Sequence, residues 1–181
     1  AGENILKVTD LKSDARIDRI YIGTYPPFPA DPAAIIPAAD FDRSHDSNEG
    51  KVTTVHQLGF SDGVLIQPFD TPSYDESSIE NAPYVEYTLD LKAGDNIIEL
   101  RTLPTLHVYE GREARYAASL DGADAEVFSI HTDDFSAEWR RNVLHGYSSR
   151  TMNVNMAKGG KHTLRISFLD PGIVLQEIRV D

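Results

Sequence analysis

Gly159-Gly-Lys-His-Thr-Leu-Arg-Ile-Ser-Phe-Leu-Asp-Pro-Gly-Ile-Val-Leu-Gln-Glu-Ile-Arg-Val-Asp181 is the stretch of sequence that decides the fold. Leu164, Ile166 and Phe168 alternate with Arg165 and Ser167, the two-residue period of a strand with one buried face. Past the Asp-Pro-Gly turn, Ile173, Leu175, Ile178 and Val180 form the apolar set of a second strand. Neither run has the period of a helix. Two strands around such a turn are what a closing β-sandwich requires.

Working outward, the same pattern recurs. Candidate strands cover 35–41, 52–56, 64–68, 84–91, 96–103, 114–120, 125–130, 150–156, 161–169 and 174–180. Ala93-Gly-Asp95, Asp121-Gly122 and Lys158-Gly-Gly160 supply turn chemistry between them. One helical piece is predicted over 136–144, with Ser136 as N-cap and Trp139 and Val143 one turn apart. Many short strands at this spacing predict an all-β, antiparallel sandwich, jelly-roll-like, with at most one short helix.

The first residues echo the last. Val8, Leu11, Ile17, Ile20 and Ile22 align without gaps with Ile166, Leu169, Leu175, Ile178 and Val180. Residues 1–23 therefore read as a two-strand extension, either the end of a preceding sandwich or an added pair of strands; a chance likeness of two such patterns gives the same alignment. Pro26, Pro27, Pro29 and Pro32 fix φ and remove donors, so 24–33 reads as a proline-rich linker or strap. Residues 34–181 are then the main domain.

Composition bounds the function. With 40% hydrophobic and 25% charged residues the 181-residue chain is globular. A formal net charge of −12 repels phosphate backbones and anionic headgroups, so neither nucleic acid nor a membrane is an expected partner. The absence of cysteine excludes disulfides and thiolate metal sites, and is compatible with export.

Several motifs carry candidate chemistry. Gly59-Phe-Ser-Asp-Gly63 matches the G-x-S-x-G nucleophile elbow, in which Ser61 would serve an esterase. That elbow needs a helix after the serine; Val64-Leu-Ile-Gln-Pro follows instead, and a turn with two glycines explains the motif better. Asp40, Asp42 and Asp46, near Asn48 and Glu49, form an oxygen-rich segment of the kind that holds calcium, although a solvated acidic turn has the same composition. The six histidines lack zinc-motif spacing. Sugar rings combine an apolar face with a hydroxyl rim, so their sites need exposed aromatics beside fork-like donors. Trp139, followed by Arg140, Arg141 and Asn142, is one candidate platform, and a core position is the ordinary alternative for a solitary tryptophan. His107, Tyr109, Arg112 and Arg115, in a loop between strands, form a second, and Tyr74 in Thr71-Pro-Ser-Tyr-Asp75 a third. Asp170 completes the candidate set as a rim contact.

The segments Ile36-Pro-Ala-Ala-Asp-Phe41, Gln57-Leu-Gly-Phe-Ser61, Leu103-Pro-Thr-Leu106 and Ala114-Arg-Tyr-Ala-Ala-Ser-Leu-Asp121 lead on to Gly160-Lys-His-Thr-Leu-Arg and Leu169-Asp-Pro-Gly-Ile-Val-Leu-Gln176. Together they make residues 34–181 resemble the C-terminal β-sandwich of family-115 glycoside hydrolases, the xylan α-glucuronidases. The resemblance implies a carbohydrate-binding-module type of sandwich from a polysaccharide-degrading enzyme, secreted or periplasmic, without catalytic residues of its own. Its expected partners are a hemicellulose or uronic-acid-bearing glycan, such as glucuronoxylan, and an appended catalytic domain. A structural domain that packs on that catalytic domain, or mediates dimer contacts, is the alternative.

Overall fold

The two strands of the closing stretch lie in different sheets. This is seen in a computed structural model of the protein, which describes residues 34–107, 110 and 113–181. The two-strand reading of 1–23, the linker at 24–33, and the candidate residues Tyr109 and Arg112 fall outside the described residues.

The elements, in chain order, are β1 (Ala34–Pro37), β2 (Arg43–His45), β3 (Lys51–Val55), β4 (Gly63–Gln67), a 3-10 segment (Glu76–Asn81), β5 (Tyr84–Leu91), β6 (Gly94–Thr102), β7 (Arg115–Leu120), β8 (Glu126–Ser129), α1 (Ala137–His145), β9 (Ser148–Met156), β10 (Gly160–Phe168) and β11 (Leu175–Val180). One sheet runs β3-β4-β11-β6-β9, with β1 also paired to β11. The other runs β2-β5-β10-β7-β8. Every pairing is antiparallel. The sandwich is thus the two-layer all-β fold that the alternation demands, and residues 169–174 carry the chain from one layer to the other.

The layers meet through alternate residues. Val85, Tyr87, Leu89 and Leu91 of β5 and Leu164, Ile166 and Phe168 of β10 face Ile98 and Leu100 of β6 and Leu175, Ile178 and Val180 of β11. The step from Leu175 to Ile178 breaks the two-residue period. A register shift against β6 between Leu175 and Glu177 accounts for it: a bulge turns Gln176 away from the core and returns Ile178 to it. No helix among the described residues is long and apolar enough to cross a membrane.

One hairpin end shows how a turn is fastened. Asp121 adopts φ 53°, in the left-handed region that Asp tolerates. Its Oδ1 accepts the Thr163 N–H at 2.8 Å and its Oδ2 lies 2.7 Å from His162 Nδ1. The His162 bond first, and the amide second, hold the Asp121 carboxyl below its ordinary range. A depressed carboxyl stabilises the fold above its unfolded pKa and loses that contribution as pH falls through the folded one. Asp121→Asn keeps the amide acceptor but not the charge. Urea midpoints followed below about pH 4 should therefore fall less steeply in Asp121→Asn than in the parent chain. The effect is small, because about half of the side chain is in water.

Candidate functional site

The antiparallel order brings the connections 46–50, 68–83, 130–147 and 169–174, with residues 103–107 and 113–114, to one end of the sandwich. Leu103 N–H bonds to Val174 O at 2.9 Å in one sheet and Phe168 N–H to Pro83 O at 2.9 Å in the other, which fastens the bases of the loops on each layer. All the described candidate ligand residues lie at this end, but they separate into two groups with different environments.

The first group is built on α1. Ser136 caps the helix by accepting the Trp139 N–H at 3.0 Å, as the sequence predicts. Gly146, at φ 74°, ends it and donates to Asn142 O. Arg150 fixes the start of the helix to the sandwich, through Glu138 Oε1 at 2.9 Å and Ser129 O at 2.8 Å. This presents Trp139 beside His131, with Asn142 and Val143 in the same small cleft. His107 packs on His131 at 6.0 Å between ring centroids. The cleft holds only about 10 Å3, room for no more than a water. A ligand would therefore meet the outer surface of the group. There Phe135, 73% exposed, packs at 5.1 Å from Trp139. Leu144, 69% exposed, and the exposed Leu106 and Val143 extend the apolar area. Phe135, His131 and Leu106 escape sequence reasoning because single apolar or imidazole groups in loops carry no period.

The second group is Arg115, Asp170 and Tyr74, and the structure gives it a different character from the expected rim. Asp170 is fully buried. Its Oδ2 accepts both the Arg115 N–H at 2.9 Å and Arg115 Nε at 2.8 Å, and Oδ1 lies 3.3 Å from Nη2. This carboxylate, by hydrogen bonding, holds the Arg115 guanidinium above its usual pKa. Tyr74 N–H donates to Leu169 O, its hydroxyl pairs with Ser47 Oγ, and its ring packs against Ala82, Ala117 and Leu169. These three side chains fasten the loop end from inside.

The two remaining motifs sit in turns, the alternative that the sequence offers for each. Ser61 is followed by β4, not by a helix, so the elbow context is missing. Its Oγ donates to Gln176 O at 2.9 Å. Asp42 Oδ2 accepts the Thr88 N–H and Asp46 Oδ1 the Val52 N–H, while Asp40 joins neither. Asp40, Asp42 and Asp46 therefore form no shared cage, and among the described residues no three His, Asp or Glu side chains gather as a metal site.

The model of the glycosyl hydrolase family 115 C-terminal domain matches residues 31–181. Among solved structures, the chain is similar to BtGH115A, described as a family GH115 4-O-methyl-α-glucuronidase with specificity for decorated arabinogalactans, at 24% identity and a TM-score of 0.61. That match covers 87% of this chain and 19% of that one, so the chain spans about a fifth of the enzyme's length. The C-terminal CBM6 of LamC from Zobellia galactanivorans matches at 14% identity and a TM-score of 0.50, over 81% of this chain and 97% of that one. A family 35 carbohydrate-binding module from Clostridium thermocellum matches at 12% identity and a TM-score of 0.51, over 82% and 98%. At such identities the likeness carries the fold. No curated protein matches the chain.

Proposed function

Residues 31–181 belong to the glycosyl hydrolase family 115 C-terminal domains, and from that premise we propose that the chain is a non-catalytic, carbohydrate-binding accessory domain of a polysaccharide-degrading enzyme. The observation that carries the reading is the Trp139–Phe135 surface at the loop end, with His107 and His131 beside it and Arg140 and Arg141 on the same helix. Aromatic faces stack on the apolar face of a sugar ring, and arginine forks grip hydroxyls or a uronate carboxylate. The ligand is a hemicellulose or uronic-acid-bearing glycan of the glucuronoxylan type. Such glycans lie outside cells, so the protein works in a secreted or periplasmic setting.

Trp139→Ala should weaken binding at least about tenfold in calorimetric titrations against glucuronoxylan oligosaccharides, xyloglucan, pectin and algal glycans. Silence of the parent chain across that panel defeats the reading. A second reading then takes its place, favoured by the exposed Leu106, Phe135, Val143 and Leu144. An apolar area of this kind suits packing on the rest of the enzyme.

A further inference from the structure

α1 reverses the usual order of an amphipathic helix. Its one buried residue is the polar Asn142, 5% exposed, while the aliphatic Val143 and Leu144 beside it are turned to the surface. The Asn142 carbonyl accepts the Gly146 N–H, but its side-chain amide makes no hydrogen bond among the described residues. Burying an amide without a partner is costly, so such a group calls for a partner from outside the chain. The amide lines the small cleft that Trp139 and His131 also line, where there is room for one oxygen-sized group. We propose that Asn142 is the specificity-determining residue of the loop-end surface, and that it takes one neutral hydroxyl group of a bound sugar into this cleft. The proposal rests on the carbohydrate-binding reading above and adds to it the residue that discriminates between sugars.

Size, charge and bonding all select a hydroxyl. About 10 Å3 admits a single oxygen and excludes a carboxylate or a whole ring, so the ring stays on the Trp139 surface and one substituent enters. Lys, Arg, Asp and Glu are absent from the described lining, and the exposed Arg140 and Arg141 lie outside it. A uronate carboxylate would therefore meet those arginines and not Asn142. The amide presents a donor and an acceptor from one side chain, and a hydroxyl does the same, so each satisfies the other; a carboxylate would use the NH2 alone. Thr105, on the same cleft, already donates its hydroxyl to Gly172 O at 2.7 Å, which leaves Asn142 as the buried polar group free to bond. Leu106, Ile130 and Val143 give the cleft apolar walls, and in such surroundings a completed hydrogen bond is stronger than in water.

The test is an NMR titration of the full chain with the glycan panel named above, neutral xylo-oligosaccharides added. It is followed at two side-chain signals: the Asn142 NH2 pair, assigned through its own backbone, and the Trp139 indole N–H. Both should shift and saturate together. Asn142→Ala should weaken binding about five- to tenfold, the loss of one hydrogen bond, for neutral and glucuronate-bearing ligands alike, with the indole shift still reached at saturation. An indole signal that moves while the NH2 pair stays fixed would overturn the role of Asn142 and leave the loop-end site standing. Parent affinity in Asn142→Ala, or a loss confined to glucuronate-bearing ligands, would do the same. Neither signal moving with any ligand would overturn both readings. The NH2 measurement is made on the parent chain, so it decides the matter even where Asn142→Ala fails to fold.

Discussion

Gln176→Leu should destabilise the sandwich by about 3 kcal/mol in urea unfolding, while Ser61→Ala should cost only about 1 kcal/mol. Gln176 is fully buried, and it is the residue that the β11 bulge turns away from the core. Its Nε2 donates to Leu58 O at 2.7 Å, and its Oε1 accepts the Phe60 N–H at 3.1 Å and the Ser61 N–H at 3.3 Å. Loop 57–61 is therefore folded around one amide side chain. Leucine removes every one of these partners at once and leaves backbone groups without a bond, which is costlier than losing the bonds alone. Ser61→Ala removes one hydroxyl bond to the Gln176 carbonyl and leaves the amide contacts in place. A Gln176→Leu variant within 1 kcal/mol of the parent would show that the loop does not depend on this amide.

The same packing explains why the sequence offers G-x-S-x-G here. Gly59 has φ 96°, and a Cβ on it would lie 2.4 Å from Gln176 Oε1. A Cβ on Gly63 would lie 2.6 Å from Val174 Cγ1 and 2.8 Å from Gln176 Nε2. Both glycines are required by close approach to β11, and the serine between them by a hydrogen bond to it. A motif that serves nucleophilic attack in one fold serves loop closure in this one, and only the missing helix after Ser61 separates the two in sequence.

The layers of the fold were legible because period two is imposed by burial. In β5, Val85, Tyr87, Leu89 and Leu91 face the core and Glu86, Thr88 and Asp90 do not, so the pattern is written in the residues themselves. β2 was not legible: Arg43, Ser44 and His45 are all exposed on an edge, and nothing about them alternates. The β10–β11 connection is legible as two strands and a turn, yet the sequence does not distinguish a hairpin from a crossing between layers. Residues 166–178 are all buried, and that continuous burial belongs to a crossing. The loop end was half legible. Composition singles out Trp139 and His107, and by the same criteria Arg115 and Asp170, whose pairing is internal, because a buried ion pair and a ligand-binding pair use the same residue types. The Glu86–Arg165 ion pair is not legible, since the two residues meet only through the register that places them opposite each other.

Arg115→Met should cost about 3 kcal/mol of stability and leave little folded protein at moderate urea, whereas Trp139→Ala should leave the urea midpoint close to that of the parent. The asymmetry follows from where each side chain ends. Asp170 is buried with its carboxylate bonded to the Arg115 guanidinium and to the Arg115 backbone amide. Removing the guanidinium strands a carboxylate in the interior, and breaking a buried pair from one side costs about 3–5 kcal/mol. The lower figure applies because Arg115 itself reaches water at its tip, where Glu76 lies 3.8 Å away. Asp170→Asn keeps the oxygen that accepts the backbone amide and loses only the charge, so it should be the milder single change. In the Arg115→Met, Asp170→Asn double variant no charge is stranded, so the double should be more stable than the sum of the singles by at least about 1.5 kcal/mol. Additive losses would show that the pair is no unit, and an unchanged midpoint in Arg115→Met would free Arg115 for a ligand. With the coupling present, weakened glycan binding in either single variant reports a loosened loop end, and only substitutions such as Trp139→Ala, made at an intact midpoint, report contact with the sugar.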